Sequence, residues 1–270
     1  MNYRDHVFKH LSYYRKSVMN IDEDGIFKYR GRDFPKGHIL PVKLWKQNIL
    51  EPIREQFYTS EYSSIKYHRY FHHLNSSQAL CINLFFPLIV ENQLGVAAND
   101  FGLANSDGLK AEFEYESTLE LAERKTSFDF FIQSKKQKIF VEMKYTEDKF
   151  GSATNDEEHR KKYEETYAPI ITGSPYLAEK VKNCDFFLEH YQVLRNLAHL
   201  SANQNVVFLF PRSNRSISVQ AVEALELFVT EKGKQKFKIV FLEDFVSMLL
   251  HSSLPRNLKM YYSLFSEKYL

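Results

Sequence analysis

The sequence predicts an α/β protein, a mixed β-sheet with helices packed on its faces. Two observations carry that expectation. A nearly all-apolar helix over about 75–90 is followed, from about residue 111, by three runs at strand period. Helix, strand, helix and strand then alternate to the C-terminal helices. The composition agrees: 23 Phe and 17 Tyr against 9 Gly and 8 Pro leave few breakers and many large side chains, hence long elements around a filled core rather than disorder. With 270 residues, 44% hydrophobic and 26% charged, the chain suffices for one large domain. We place a helical N-terminal extension at 1–60, packed on a domain spanning 61–270.

In chain order, residues 1 to about 60 read as short helices joined by the turn-rich stretch Gly25 to Pro41. A helix candidate runs from Val42 to Tyr58, interrupted by Pro52. Asn75, Ser76 and Ser77 offer capping oxygens ahead of Ala79-Leu80-Cys81-Ile82 and Leu84-Phe85-Phe86, a helix that Pro87 should kink or end. Phe113 to Glu116, Ser127 to Ile132 and Ile139 to Tyr145 read as strands, the last two joined by a short polar turn at Gln133 to Lys138. Asp156 to Tyr167 is a charged helix, and Asn183 to Leu200 a longer amphipathic one. Val206 to Phe210 is an apolar strand closed by Pro211. A helix from Ser218 to Thr230, a strand from Phe237 to Leu242 and one or two helices complete the chain.

Charge and cysteine usage narrow the function classes. Lys and Arg total 36 against 34 Asp and Glu, net +2, which excludes binding by bulk positive charge; a nucleic-acid role would need a local basic surface. Two cysteines, Cys81 and Cys184, supply neither a disulfide framework nor a thiolate zinc cluster, so a reducing, cytoplasmic compartment is expected. The N-terminal residues lack the apolar run of a signal peptide. The longest apolar stretch, Ala79 to Val90, is shorter than the roughly 20 residues of a membrane span, and no membrane partner is expected.

The chemistry-bearing residues sit on the second and third strands. Glu142 and Lys144 are two apart on one strand, so they emerge on the same face among Phe140, Val141, Met143 and Tyr145. Burying two charges there is costly unless they are paired or bind an ion. Asp129 stands alone within Phe128-Asp129-Phe130-Phe131-Ile132, and antiparallel pairing of the two strands would bring it close to Glu142. Two other Glu-x-Lys triplets, Glu123 to Lys125 and Glu147 to Lys149, lie among polar residues and are expected to face solvent. Two carboxylates at a sheet edge suit a hard divalent cation, Mg²⁺ with Mn²⁺ as substitute, and a lysine beside them suits charge developing on a phosphate. The bland alternative is a structural ion pair between Glu142 and Lys144.

Asp129 followed by Glu142-Met143-Lys144, with segments 76–85, 192–197 and 208–214 in the same order, resembles the PD-(D/E)XK nuclease superfamily, and within it a restriction-endonuclease-like group. The resemblance covers residues 75 to about 214. It implies a restriction-endonuclease-like αβββαβ core and Mg²⁺-dependent hydrolysis of DNA phosphodiester bonds, with a restriction or defence role. Asp129 and Glu142 match the metal-binding carboxylates and Lys144 the catalytic lysine. Phe128 stands where the name-giving proline would be. The acidic residue that many members carry on the first core helix has no match, since Ser77 and Gln78 occupy the helix start. Glu114 or Glu116 could supply a further carboxylate.

Outer candidates follow. Gln192, three residues before Arg195 on one helix, is expected to orient a water or the lysine, and Arg195 to hold a phosphate. Gln78 and Arg212 are further nucleic-acid contacts, Arg212 because loops at strand ends commonly hold ligands. The alternative for each is a polar surface. Tyr67, His68, Arg69, Tyr70, His72 and His73 form a basic, aromatic cluster that reads either as a phosphate-binding or base-stacking surface or, more blandly, as a solvated helix edge. Thr146 to Asp156 reads as a mobile loop that closes over substrate. The expected partner is duplex DNA, with a homodimer open because a duplex offers two strands. The competing reading, from another class, is a non-catalytic nucleic-acid- or protein-binding module that retains the fold.

Overall fold

The structure is a computed structural model and describes residues 2–103, 108–120 and 125–270. It divides into two compact units, one of residues 1–93 and 242–270 and one of residues 94–241. The 1–60 segment is thus part of a larger unit to which the C-terminal helices also belong. Glu123 of the first Glu-x-Lys triplet lies outside the described residues.

The first unit opens with α1 (Tyr3–Ser17) and a hairpin of β1 (Gly25–Tyr29) and β2 (Arg32–Lys36), followed by α2 (Glu51–Thr59) and α3 (Ser77–Val90). The hairpin corrects the helix-and-turn reading of this stretch. Its two-residue turn takes left-handed backbone at Arg30 (φ 48°) and Gly31 (φ 74°), the geometry that matches strand twist. Only Gly31 advertises that turn in the sequence. Pro52 sits in the first turn of α2, where its missing N–H costs nothing, and so starts the helix instead of interrupting it.

Ser76 caps α3 by accepting from the Ala79 amide (3.3 Å), an interaction typically worth about 1 kcal/mol. Pro87 was expected to end the helix, yet α3 runs three residues past it. The proline has no N–H for the Asn83 carbonyl, and that carbonyl instead accepts from the Tyr261 hydroxyl (2.7 Å).

The second unit begins with α4 (Leu94–Asp100), then β3 (Lys110–Glu116), β4 (Ser127–Gln133) and β5 (Lys138–Met143). It continues with α5 (Glu157–Lys162), α6 (Ala168–Ile171), α7 (Cys184–Glu189), α8 (Tyr191–Leu197), β6 (Gln204–Phe210), α9 (Arg215–Glu223), α10 (Glu231–Lys234) and β7 (Phe237–Phe241). The chain then returns to the first unit through α11 (Leu242–His251) and α12 (Arg256–Tyr269). No single helix among the described residues is long and apolar enough to cross a membrane.

The second unit's sheet runs β3-β4-β5-β6-β7, antiparallel through β5 and parallel from β5 to β7. This is the mixed central sheet that the strand periods predict. One face carries Phe140, Val206, Phe208 and Phe210 against Phe187, Leu188, Val193, Leu194 and Leu197 of α7 and α8 and Ile217 and Ala221 of α9.

The single helix expected over 183–200 is broken at His190. The chain between β5 and α5 forms two backbone hydrogen bonds at the break. Ala153 donates to the Leu188 carbonyl (2.9 Å), and Gln192 donates to the Gly151 carbonyl (2.9 Å). These are the two groups that a continuous helix would have paired with each other. The break fixes where Gln192 and the rest of α8 point.

Candidate active site

Glu142 and Lys144 leave the end of β5 on the face of Phe140, and the Lys144 amide extends the ladder by donating to the Leu209 carbonyl (3.0 Å). Both side chains are buried, Glu142 4% and Lys144 8% exposed. Lys144 Nζ donates to Glu142 Oε1 (2.8 Å) and to Gln192 Oε1 (3.3 Å) and lies 5.4 Å from the centre of the Phe150 ring. Burial pulls the ammonium's pKa down, but Glu142, Glu147 and Asp129 outweigh it, and the group is held above its ordinary value. The acidic neighbours thus favour the charged ammonium.

Glu142 is held from three sides. Besides Lys144, Gln192 Nε2 donates to Oε1 (2.7 Å) and Asn196 Nδ2 to Oε2 (3.1 Å). Gln192 and Asn196 are one turn apart on α8 and so share a face. Gln192 is fixed in turn by the Gly151 amide, which donates to its Oε1 (3.0 Å).

Asp129 arrives from β4 with Oδ2 accepting from the Met143 amide (2.6 Å), between Glu142 and Lys144 in sequence. Burial pushes its carboxyl pKa well up, and Glu142 and Glu114 push it further. The Lys144 ammonium and the Met143 amide pull it partly back. The expected convergence of Asp129, Glu142 and Lys144 is therefore present, and Glu114 acts as a third carboxylate on the same charge cluster.

The backbone reason for this convergence is a break in strand alternation. Phe128 packs on Phe140 (ring centres 4.9 Å) and Phe131 on Phe140 (5.2 Å), whereas Phe130 packs on Phe113 (5.0 Å). Phe128 and Phe130 thus take opposite faces although they are two apart, and the switch occurs at Asp129. Opposite it, Glu114 has left-handed backbone (φ 54°) in mid-strand, an arrangement rare for a non-glycine residue and concentrated at functional sites.

The donor set fits a hard divalent cation. All its ligand atoms are oxygens, and ionised Asp129 is destabilised by the very charges that a cation would neutralise. The buried Asn196 Oδ1 has no hydrogen-bond donor among the described residues. Among the described residues there is no cluster of three His, Cys, Asp or Glu shaped to hold a metal. Asp129 and Glu142 are the two carboxylates beside Lys144 that could hold such an ion, with water and substrate oxygens needed to complete its shell.

The loop after β5 is pinned to its surroundings, where a mobile lid was expected. Asn214 Nδ2 donates to the carbonyls of Tyr145 (2.9 Å) and Glu147 (2.9 Å), and the Phe150 amide donates to Gln220 Oε1 (3.1 Å). In the third Glu-x-Lys triplet Lys149 is exposed, as its polar surroundings suggest, and Glu147 is half-buried with its Oε2 accepting from the Tyr145 amide (2.6 Å).

A family model described as Restriction Endonuclease associating with ARP matches residues 8–270. The chain belongs to this restriction endonuclease family. No curated protein and no solved structure gives a significant match.

In this restriction endonuclease family member, two of the expected nucleic-acid contacts have internal work. Gln78 is 1% exposed and belongs to the first unit, where its Oε1 accepts from the His68 amide (2.9 Å) and its Nε2 donates to the Lys66 carbonyl (3.1 Å). Its carboxamide holds the 66–68 segment and is not presented to a ligand. Arg195 pairs with buried Glu120 (3.2 Å) and packs on the rings of Tyr167 and Tyr191. Three residues after Gln192 on α8, its guanidinium meets Glu120. Arg212 is exposed and lies 4.0 Å from the Phe241 ring centre, a placement compatible with a phosphate contact.

Three contributors were missed at the sequence level. Asn196 could have been found from its i,i+4 relation to Gln192. Asn214 and Glu120 gave no local signal of their longer reach, since Asn214 meets the Tyr145 and Glu147 carbonyls and Glu120 meets Arg195 across 67 or more residues.

Proposed function

We propose that the chain is a Mg²⁺-dependent endonuclease of the PD-(D/E)XK kind that hydrolyses phosphodiester bonds of duplex DNA in restriction or defence, in a reducing, cytoplasmic setting. The observation that carries this reading is the meeting of Asp129, near the start of β4, with Glu142 and Lys144 at the end of β5, with Gln192 bridging Glu142 and Lys144.

Asp129 and Glu142 would hold the ion, which when bound supplies Lewis-acid polarisation of the phosphate and lowers the pKa of a coordinated water. The chain's own residues do the rest. Water adds to phosphorus, the bond from phosphorus to the leaving sugar oxygen breaks, and negative charge builds on the phosphate oxygens. Lys144, kept protonated by its acidic neighbours, faces that charge. Gln192 fixes the ammonium through Oε1 while orienting Glu142 through Nε2, so one carboxamide sets two groups. Arg212, exposed beyond β6, would contact a backbone phosphate. Two copies acting on the two strands of a duplex would form a homodimer.

The test is cleavage of supercoiled plasmid with Mg²⁺ or Mn²⁺ by the wild type, Asp129→Ala and Lys144→Ala. Each variant should be slower by on the order of 10²–10³-fold. Equal rates in all three would remove the assignment.

A second reading, a binding module that retains the fold, draws on Glu142. Both its oxygens already accept hydrogen bonds, as in a purely structural ion pair. Calorimetric titration with Mn²⁺ separates the two readings: heat of binding that is lost in Asp129→Ala favours the nuclease, and no heat favours the module.

A further inference from the structure

The hairpin of the first unit carries an unusual face. In its register Phe27 lies opposite Phe34, Tyr29 opposite Arg32 and Gly25 opposite Lys36, so these six residues share one side. Phe27 and Tyr29 stack nearly parallel (11°, ring centres 6.4 Å), and Phe27 also meets Tyr70 (6.2 Å). Tyr29, Phe34 and Tyr70 are 51%, 40% and 43% exposed. Residues 25–36 hold four basic side chains against one acidic, and that one, Asp33, is opposite Lys28 on the other side.

Arg30 at the turn lies over the Tyr29 ring (5.2 Å), and Arg69 lies over Tyr70 (5.5 Å). The turn places Arg30 in left-handed backbone, where Asn or Gly is usual, so an arginine is kept there against its conformational preference. The basic, aromatic cluster noted at 67–73 thereby gains a neighbour that its sequence did not reveal.

We infer that this aromatic and basic ribbon binds single-stranded nucleic acid, with unpaired bases stacking on Tyr29, Phe34 and Tyr70 and phosphates meeting Arg30, Arg32, Lys36 and Arg69. Exposed rings on two paired strands and the adjoining 67–73 segment, flanked by cations, match that ligand, because every unpaired base offers a π-face and every linkage an anion. A ribbon reading duplex base edges would instead line its face with side chains that donate and accept hydrogen bonds. Duplex bases are already stacked on one another and leave no face for a ring. The inference deepens the nuclease reading by naming a single-stranded region as part of the substrate. It rests on that reading for what becomes of the bound strand, and the binding itself is independent of cleavage.

The test uses the full chain with Lys144→Ala in chelator, so that no strand is cut, and fluorescence anisotropy of labelled oligothymidylate of about 20 nucleotides against a duplex of the same length. The single strand should bind more tightly. Tyr29→Ala and Tyr70→Ala should each weaken it on the order of tenfold, with the unfolding midpoint unchanged because both rings are exposed. Arg30→Gly, which also suits the turn, should reduce the slope of log affinity against log salt by about 0.7, one phosphate's worth for a single strand. Single-strand affinity that is unaltered in Tyr29→Ala/Tyr70→Ala, or tighter binding of the duplex, or no binding of either, overturns the inference. Ring-dependent binding in a protein whose wild type cuts no plasmid would leave the ribbon standing and remove the nuclease.

Discussion

Two buried glutamates of the second unit, Glu120 and Glu142, are held by the same helix and are chemically opposite. Glu120 accepts from the Thr126 amide (2.9 Å) and hydroxyl, the Tyr167 hydroxyl (3.2 Å) and Arg195 (3.2 Å). Its one full cation is matched to one anion, and the nearby His199 is kept neutral, its pKa lowered to about 4 chiefly by burial. Around Glu142, one ammonium meets the charges of Glu142, Glu147 and Asp129, and Glu114 adds its charge beside Asp129. Both glutamates are buried, so burial does not separate them. They differ in how far the negative charge around them is matched, and a site with an excess gains from whatever cation arrives.

The largest test of this contrast is Glu120→Ala. Removing one partner of a buried pair leaves Arg195 facing vacated space, and the loss should be about 3–5 kcal/mol in urea unfolding. A change below about 1 kcal/mol would mean that the Glu120 network is not the structural lock its geometry describes.

Next comes pH. His199 binds its proton more weakly folded than unfolded, so its contribution to stability is present above the ordinary histidine value and is lost as pH falls toward about 4. The loss amounts to about 3 kcal/mol across that window. His199→Phe should flatten the acid limb of the stability profile by that amount, and an unchanged limb would refute a neutral His199.

The smallest effect has the opposite sign. Asp129 holds its proton more tightly folded than unfolded, so its contribution is present at acid pH and lost as pH rises through the raised native value. Asp129→Asn should therefore stabilise the metal-free protein at neutral pH by about 0.5–2 kcal/mol while abolishing Mn²⁺ binding. A destabilised Asp129→Asn protein would make Asp129 a structural residue like Glu120.

Much of this was legible in the chain. The strand periods at 113–116, 127–132 and 139–145 and the alternation after them fix the sheet, because period 2 and period 3.6 bury different residues. Glu142 and Lys144 could be paired from spacing alone, and Asp129 was conspicuous as a lone acid in an apolar run. The hairpin at Gly25–Lys36 was not legible, because Arg30 occupies a turn position normally signalled by Asn or Gly, and Pro35 argues against a strand except at an edge. The assignment of Arg195 to a phosphate failed for a different reason: helical spacing gives a face, but not which of two acids that face meets.

The sequence by itself determined the sheet, the helix alternation and the charged triad on two neighbouring strands, since these follow from local period and from the cost of burying charge. Tertiary structure alone decided how the triad is armed. Glu114 and Asp129 break the strand alternation together because they are opposite each other across a ladder. Helix α8 begins at Tyr191 because the Gly151–Ala153 backbone takes the hydrogen bonds that would have joined it to α7. Hydrogen bonds between segments dozens of residues apart leave no period in the chain, and it is they that turn Gln192 and Asn196 toward Glu142 and leave Arg195 to Glu120.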